Sequence, residues 1–325
     1  MHRYGAYGEI EKTRPTGEVQ VRQAARERTD GGYCLTFVVY DKNTRLCGKE
    51  VMSKANLHYF IIVRYSIYLR GKRTGWLIRR LHDHDYRRKL FDPGRLDLHQ
   101  RLFLGLTLPS VRQQLAHADD RSLTLVVLTS TELPQAWKQH LFEALRPFSW
   151  ATAWEIAPDE PDPFSDLPEI MLHRCVGDRY VTIRLDDDDG LSADYLKQLN
   201  AHLDGRRSGF GISLSSGYAG FYDGRTFREY REFHRPMIAL GLATVHDRKA
   251  LELGSKKRNH IFQMGRHTQI DQRIPILTDG RLPAYLRSIH TESDRFKRAR
   301  RRAESFRLST NDNVIRCLGF EPIFT

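Results

Sequence analysis

The sequence predicts an α/β fold with a mostly parallel sheet flanked by helices. Runs rich in β-branched and aromatic residues predict buried strands, and segments with helical spacing separate them. Strands that alternate with helices in this way pair in parallel. The four predicted strands cover residues 59–68, 123–128, 150–156 and 180–185.

Spacing and capping residues predict the helices between these strands. Residues 96–115 have helical periodicity, interrupted near Pro109. Pro134 opens a second helix that continues to about residue 145, because proline is favoured in the first turn. Ser192 is positioned to cap a third helix, with Asp194 in a first turn that favours negative charge.

The two ends of the chain and its later half depart from this rhythm. Residues 1–55 form an N-terminal appendage that can contain a β-hairpin with a strand at 33–40. Residues 217–226 are rich in Gly and Tyr and indicate turns or a β-ribbon, a region suited to shaping a second substrate pocket. Residues 293–325 form a basic C-terminal tail, in which six of the eight residues from 295 to 302 are cationic.

Composition limits the classes of partner. The chain has 325 residues and a net charge of +12, which favours anionic partners such as nucleotides or an acidic membrane surface. No segment reaches the ~20 apolar residues that a membrane helix needs, so we expect a cytoplasmic protein that can contact the inner membrane face through charge. The four cysteines have no zinc-binding spacing, although Cys34 and Cys47 could face each other across a hairpin.

The most informative feature is the acid run Asp186, Asp187, Asp188 and Asp189, which follows the strand at 180–185 and precedes Gly190. Adjacent carboxylates disfavour one another's ionisation, and a hard divalent cation removes that penalty. The carboxyl ends of parallel strands are also where such sheets bind ligands. The sequence therefore predicts a metal site, and the metal in turn suggests a phosphate-bearing substrate.

Several other nucleotide and metal motifs are absent from the sequence. No Gly-x-Gly-x-x-Gly follows the first strand, and Gly71-Lys72 lacks the Ser or Thr of a P-loop. The acid run fails as an EF-hand loop, because its first and last ligand positions would be Leu185 and Leu196.

Beyond the acid run, ordered stretches resemble the bacterial putative rhamnosyltransferase family of GT-A glycosyltransferases. The likeness covers roughly residues 58–292 and implies a nucleotide-sugar half at 56–205 and an acceptor half at 206–292. It also implies a nucleotide-sugar donor, a glycan or lipid-linked acceptor, and a Mn²⁺ or Mg²⁺ ion. The matching stretches are residues 62–67, 101–103, 108–111 with Gln114, 128–130, 133–134, 182–189 and 289–290.

The resemblance assigns roles to the acids, but the residues leave alternatives open. Asp186 and Asp188 lie two apart on extended chain and can point the same way, towards metal and ribose. Asp187 occupies the variable middle position and is grouped with the donor contacts. Asp188 is expected to bind the metal, with Asp189 as the alternate ligand and the late His290 as a further one, whose alternative role is structural.

Flanking residues have competing interpretations as well. Arg64 interrupts a buried strand, so it either contacts the nucleotide at the crevice or forms a structural ion pair. Arg184 is expected to pair with one of the acids. His260 is a weaker metal or phosphate candidate, and Trp76 can stack on a sugar or anchor its loop.

The general base of an inverting transfer has no motif of its own. Asp223, Glu229 and Glu232 are the candidates from the presumed acceptor half, and the alternative for each is a surface acid.

Two other functions remain in competition at the level of sequence. A metal-dependent nuclease or nucleotidyltransferase would also need clustered acids, although two-metal sites usually draw them from several strands. A non-enzymatic polyanion-binding protein would use the basic tail. We do not expect nucleic acid as a partner.

Overall fold

The computed structural model describes residues 11–14, 17–29, 32–41, 44–53, 57–70, 82–203, 208–253, 258–293 and 296–324. The chain divides into two compact units, Met1–Asn56 and Leu57–Thr325.

The first unit is an antiparallel sheet in which each strand pairs with the next. Its strands are β1 (Glu11–Arg14), β2 (Gly17–Thr29), β3 (Gly32–Asp41) and β4 (Thr44–Ser53). The predicted hairpin strand corresponds to β3. The suggestion that Cys34 faces Cys47 is wrong, because Cys34 pairs with Val51 and Cys47 pairs with Val38.

The second unit is built on a ten-stranded sheet of the predicted α/β class. The order is β14-β11-β10-β12-β8-β5-β6-β7, with β13 beside β10 and β9 beside β13. The strands are β5 (Leu57–Tyr65), β6 (Leu123–Ser130), β7 (Ala151–Ile156), β8 (Arg179–Asp186), β9 (Gly190–Leu191), β10 (Phe210–Tyr222), β11 (Phe227–His234), β12 (Ala243–Asp247), β13 (Ile276–Ile289) and β14 (Leu308–Ser309).

Strand direction changes across this sheet. β8, β5, β6 and β7 are parallel neighbours, as the alternation of strands and helices predicted. Beyond β8, β12 is antiparallel to both β8 and β10, and β10 and β11 form the predicted ribbon.

Helices cover both faces of the parallel part of the sheet. They are α1 (Asp83–Leu90), α2 (Pro93–Leu102), α3 (Leu108–Gln113), α4 (Gln135–Leu145), α5 (Leu167–Arg174), α6 (Tyr195–Asn200), α7 (Lys249–Glu252), α8 (Phe296–Glu304) and α9 (Asn311–Leu318). A π-helical turn, Phe103–Thr107, joins α2 to α3. Among the described residues, no helix combines the length and apolar character needed to cross a membrane.

The central strands are rich in apolar residues because both of their faces are covered. On β5, Tyr59, Ile61 and Val63 belong to one hydrophobic cluster, whereas Phe60 and Ile62 belong to another on the opposite face. Alternating side chains of β6 divide in the same way. This two-sided packing fixes the carboxyl ends of β5 and β8 side by side.

The loop that carries the acid run is held tightly after Asp189. A Cβ added to Gly190 would lie 2.7 Å from the Cδ1 atom of Leu106 in the π-helical turn, so glycine permits this close approach. The predicted cap of the next helix is wrong: Asp194 occupies the N-cap position of α6, and the Ser192 hydroxyl donates instead to the Asp194 carboxylate.

The C-terminal residues also pack on the sheet. Ala303 of α8 belongs to the larger hydrophobic cluster, and Val314 and Leu318 of α9 are fully buried. The cationic side chains of α8 thus lie on the exposed side of a folded helix.

Two buried histidines should make the free energy of unfolding decrease in acid. Burial lowers the pKa of His246 to about 4 and that of His260 to about 3, so both are neutral when folded and titrate near 6.5 when unfolded. The unfolded state then binds more protons, and stability falls as the pH drops below 6.5. We expect a loss of about 2 kcal/mol per histidine between pH 6.5 and pH 5.

Urea unfolding at these two pH values measures the effect. His260→Gln should flatten the pH dependence, whereas His84→Gln, at an exposed side chain, should not. A pH dependence that is the same in both variants would contradict this assignment.

Candidate functional site

The four aspartates lie where β8 ends and turns into β9. Asp186 is the last residue of β8 and pairs in register with Arg64 of β5. The Asp189 backbone N–H donates to the Asp186 carbonyl at 3.3 Å, which closes a tight turn. Each of the four carboxylates has a partner of its own, and those partners come from different elements.

Asp186 lies between two arginines. Its Oδ1 atom is 3.2 Å from the Arg64 guanidinium and 3.3 Å from that of Arg184. Burial acts to raise the pKa of Asp186, but the charges of Arg184 and Arg64 outweigh it and hold this pKa well below its usual range. Both guanidinium groups also lie over the Phe262 ring, 5.3 and 5.6 Å from its centroid. The ion pair expected of Arg184 is confirmed.

Asp187 is buried against His99 of α2. Its Oδ1 atom is 3.1 Å from the His99 Nδ1 atom, and both side chains are almost fully buried. Within the described residues, the other carboxylate oxygen of Asp187 and the Nε2 atom of His99 have no hydrogen-bond partner. His99 was missed in the sequence, where it is a single histidine within a helical pattern.

Asp188 contacts His290, which directly follows β13. The His290 Nε2 atom is 2.9 Å from the Asp188 Oδ2 atom, and the imidazole is fully buried. Burial tends to raise the pKa of Asp188, but the hydrogen bond and charge of His290, with the charge of His99, lower it overall. The sequence grouped these two residues, and the structure brings them together.

Asp189 turns towards the backbone. Its Oδ1 atom accepts from the Ser288 N–H at 2.8 Å, and its carbonyl accepts from the Thr107 hydroxyl at 2.8 Å. Burial and the charges of Asp188 and Asp186 raise its pKa well above the usual value. Asp189 therefore connects the acid run to β13 and to the π-helical turn.

His99, Asp188 and His290 form one cluster capable of binding a metal. One ligand atom from each lies within 4.8 Å of the others. Two ligands at right angles on one ion, each about 2.1 Å from it, are about 3 Å apart, close to the observed contact between His290 and Asp188. Among the described residues, the Nε2 atom of His99 has no hydrogen-bond partner, so it can bind a metal when Nδ1 carries the proton. These residues fit a divalent cation.

The three base candidates lie on or beside the ribbon of β10 and β11. Asp223 accepts from the Thr226 and Arg225 N–H groups and pairs with Arg228, which lowers its pKa to about 2. Glu229 pairs with Arg231. Glu232 is exposed and makes no side-chain hydrogen bond or ion pair within the described ranges. None of the three contacts the acid run in that part of the chain.

His260 is not one of the residues of the metal-capable cluster. His260 is fully buried beside Phe262 and Phe164, and neither of its ring nitrogens has a partner among the described residues. Trp76 lies outside the residues that the structure describes.

This arrangement of a parallel sheet with carboxylates and histidines at its carboxyl edge is the one expected of the glycosyltransferase class that the sequence resembles. The chain belongs to the family described as putative rhamnosyl transferase, since the family's sequence model matches residues 59–302, more than half of its 325 residues. A comparison with curated proteins gives no match.

The chain is also similar to solved structures at low sequence identity. The mannosyltransferase PcManGT from Pyrobaculum calidifontis, in complex with GDP-Man and Mn²⁺, is 13% identical, with a TM-score of 0.39. That match covers 75% of this chain and 60% of the mannosyltransferase chain. A putative glucose-1-phosphate thymidylyltransferase from Bacillus anthracis is 12% identical over 82% of this chain and 100% of its own, with a TM-score of 0.36.

The metal-capable cluster leads to a direct prediction. His290→Ala should weaken Mn²⁺ binding by about 100-fold. Loss of a residue that only supports a metal ligand already weakens binding by about 10- to 100-fold, and His290 is itself a proposed ligand. Isothermal titration calorimetry measures the change. His84→Ala removes an exposed imidazole and serves as the control. Mn²⁺ affinity equal to wild type in His290→Ala would contradict the assignment.

Proposed function

We propose that this protein is a metal-dependent glycosyltransferase. It transfers a sugar, with rhamnose as the first candidate, from a nucleotide-sugar donor to a glycan or lipid-linked acceptor in surface polysaccharide synthesis. The observation that carries the proposal is the cluster of His99, Asp188 and His290 at the carboxyl end of β8, where α/β sheets bind ligands. Membership of the rhamnosyl transferase family supports the reaction class.

His99, Asp188 and His290 would hold the metal. Two imidazoles among three ligands favour Mn²⁺ over Mg²⁺, which prefers an all-oxygen shell. When bound, the ion supplies electrostatic stabilisation of the charge that develops on the leaving diphosphate.

Asp187 acts on this site through His99. If His99 donates its Nδ1–H to the Asp187 carboxylate, its Nε2 atom carries the lone pair that a metal needs. The sequence grouped Asp187 with the donor contacts. We assign it instead to fixing the tautomer and orientation of His99.

Arg64 and Arg184 form the donor side of the site, with Asp186 between them. Two guanidinium groups share one carboxylate, so this trio retains one net positive charge. A donor diphosphate is an anion that would be attracted to that charge, and Arg64 is then both an ion-pair partner and a phosphate contact. Asp186 holds the two arginines side by side over Phe262.

Of the three base candidates, we favour Glu232. A base must be free to accept a proton near neutral pH. The lowered pKa of Asp223 makes it a weak base, and Glu229 is paired with Arg231. Glu232 is the exposed carboxylate among the three without an ion pair in the described residues.

Glu232→Gln should lower the turnover of sugar transfer by about 10² to 10⁴, the usual contribution of a general base. Mn²⁺ affinity should stay as in wild type, because Glu232 makes no contact with the metal-capable cluster. Glu229→Gln, on the same strand, is the matched comparison. Full transfer activity in Glu232→Gln would exclude this role.

The rival functions fit less well. A nuclease or nucleotidyltransferase with two metals needs ligands for a second ion, and the described residues contain one cluster of three potential ligands. A polyanion-binding tail would be a separate segment, whereas α8 packs on the core through Phe296 and Ala303. A cytoplasmic location, with charge-driven contact to an anionic membrane face, remains part of our proposal.

A screen of UDP-, dTDP- and GDP-sugars with Mn²⁺ tests the proposed function through release of nucleoside diphosphate. Asp188→Asn should lower this turnover by about 100-fold or more, because metal stabilisation of a leaving group amounts to several kcal/mol. Asp120→Asn, at an exposed acid, is the control. Cleavage of DNA or RNA without turnover of any nucleotide sugar would favour the nuclease instead.

A further inference from the structure

A second group of arginines includes Arg287, which acts on the Asp189 end of the acid run. Arg287 belongs to β13, and its Cζ atom lies 5.8 Å from the centroid of the Phe233 ring of β11. Arg235 follows directly after β11 and is anchored by its backbone N–H on the Ser215 carbonyl. These two positions bring a pair of partly buried guanidinium groups to one region of the sheet.

Helix α8 adds two more arginines to this region. Phe296 and Ala303 of α8 pack in the same hydrophobic cluster as Phe233 and Tyr285, so the helix covers the sheet face that carries Arg287. Arg298 and Arg302 are four residues apart and therefore lie on one side of the helix.

The charges of Arg287, Arg298 and Arg302 all act on Arg235. Burial lowers the pKa of Arg235, and the positive charges of Arg302, Arg287 and Arg298 lower it further. None of the four makes an ion pair within the described part of the chain. Other arginines there have carboxylate partners, for example Arg64, Arg184, Arg228, Arg231, Arg248, Arg281 and Arg300.

This cluster adjoins the site through β13. Ser288, the residue after Arg287, donates its N–H to Asp189, and the strand then leads to His290. The charge of Arg287 also reaches Asp189, where it opposes the larger effects of burial and of Asp188 and Asp186 on the pKa. The acid run therefore has arginines at both ends, with Arg64 and Arg184 at the donor end.

We propose that Arg235, Arg287, Arg298 and Arg302 bind a phosphate or diphosphate group of the acceptor. This inference rests on the proposed function and narrows its acceptor to a phosphorylated one, either a soluble sugar phosphate or a lipid-linked one. A guanidinium group can donate two parallel hydrogen bonds to two oxygens of one phosphate. A diphosphate also carries enough negative charge to offset several arginines, whereas a single carboxylate carries only one negative charge.

Binding of inorganic pyrophosphate in the presence of EDTA tests the site without metal or donor. Arg298→Gln with Arg302→Gln should weaken binding by about tenfold, which corresponds to about 1.4 kcal/mol. The matched control is Lys297→Gln with Arg301→Gln, which removes the same charge from the same helix at the same spacing. Arg287→Gln is the second variant and should weaken binding in the same direction.

Two results would overturn the proposal: no pyrophosphate binding by the wild-type protein, or equal losses in the two double variants. Asp188→Asn separates this inference from the proposed function. This variant should bind pyrophosphate without metal as tightly as the wild-type protein does. A loss of nucleotide-sugar turnover with unchanged pyrophosphate binding would therefore count against the proposed function and not against the arginine site.

The source of the phosphate is distinguished by two probes. A soluble sugar 1-phosphate represents one source, and phosphatidylcholine vesicles that carry a polyprenyl phosphate represent the other. Binding of either, weakened by Arg298→Gln with Arg302→Gln, supports the site and names its ligand. Binding of neither contradicts it.

Discussion

The mutual repulsion of four adjacent carboxylates is the constraint on which the rest of the site depends. The structure satisfies it by giving each aspartate a different partner: two arginines for Asp186, His99 for Asp187, His290 for Asp188 and a backbone N–H for Asp189. These partners come from β5, β8, α2 and β13. These contacts with the acid run therefore form only in the assembled fold.

The distribution of partners also separates roles along four consecutive residues. Asp186 stays ionised between arginines, whereas burial and neighbouring acids favour the protonated form of Asp189. Asp188 keeps a lowered pKa through His290 and remains available as a carboxylate ligand. Chemically identical side chains thus differ in their preferred protonation states because their surroundings differ.

The acid run and the parallel strands were readable from the sequence because both are local signals. Burial on both faces makes β5, β6 and β8 rich in apolar residues, and the acid run begins at the last residue of β8. His290 entered only through the family resemblance. His99 was missed because it meets Asp187 across 88 residues of chain, and only the fold brings them together.

The direction of the strands in the later half of the chain could not be predicted from the sequence either. The apolar pattern of β12 does not reveal that it runs antiparallel to β8, since alternation marks faces and not direction. The arginine group could not be predicted from the sequence for a similar reason. Arg235, Arg287 and Arg298 are separate charged positions in the sequence and become neighbours only when β11, β13 and α8 pack together.

Anomalous diffraction from crystals soaked in Mn²⁺ tests directly whether the aspartate run contributes to a metal centre. We expect one strong peak within about 2.5 Å of a side-chain atom of each of His99, Asp188 and His290. A peak at Asp186 or Asp189 instead, or no peak in this cluster at saturating Mn²⁺, would contradict it.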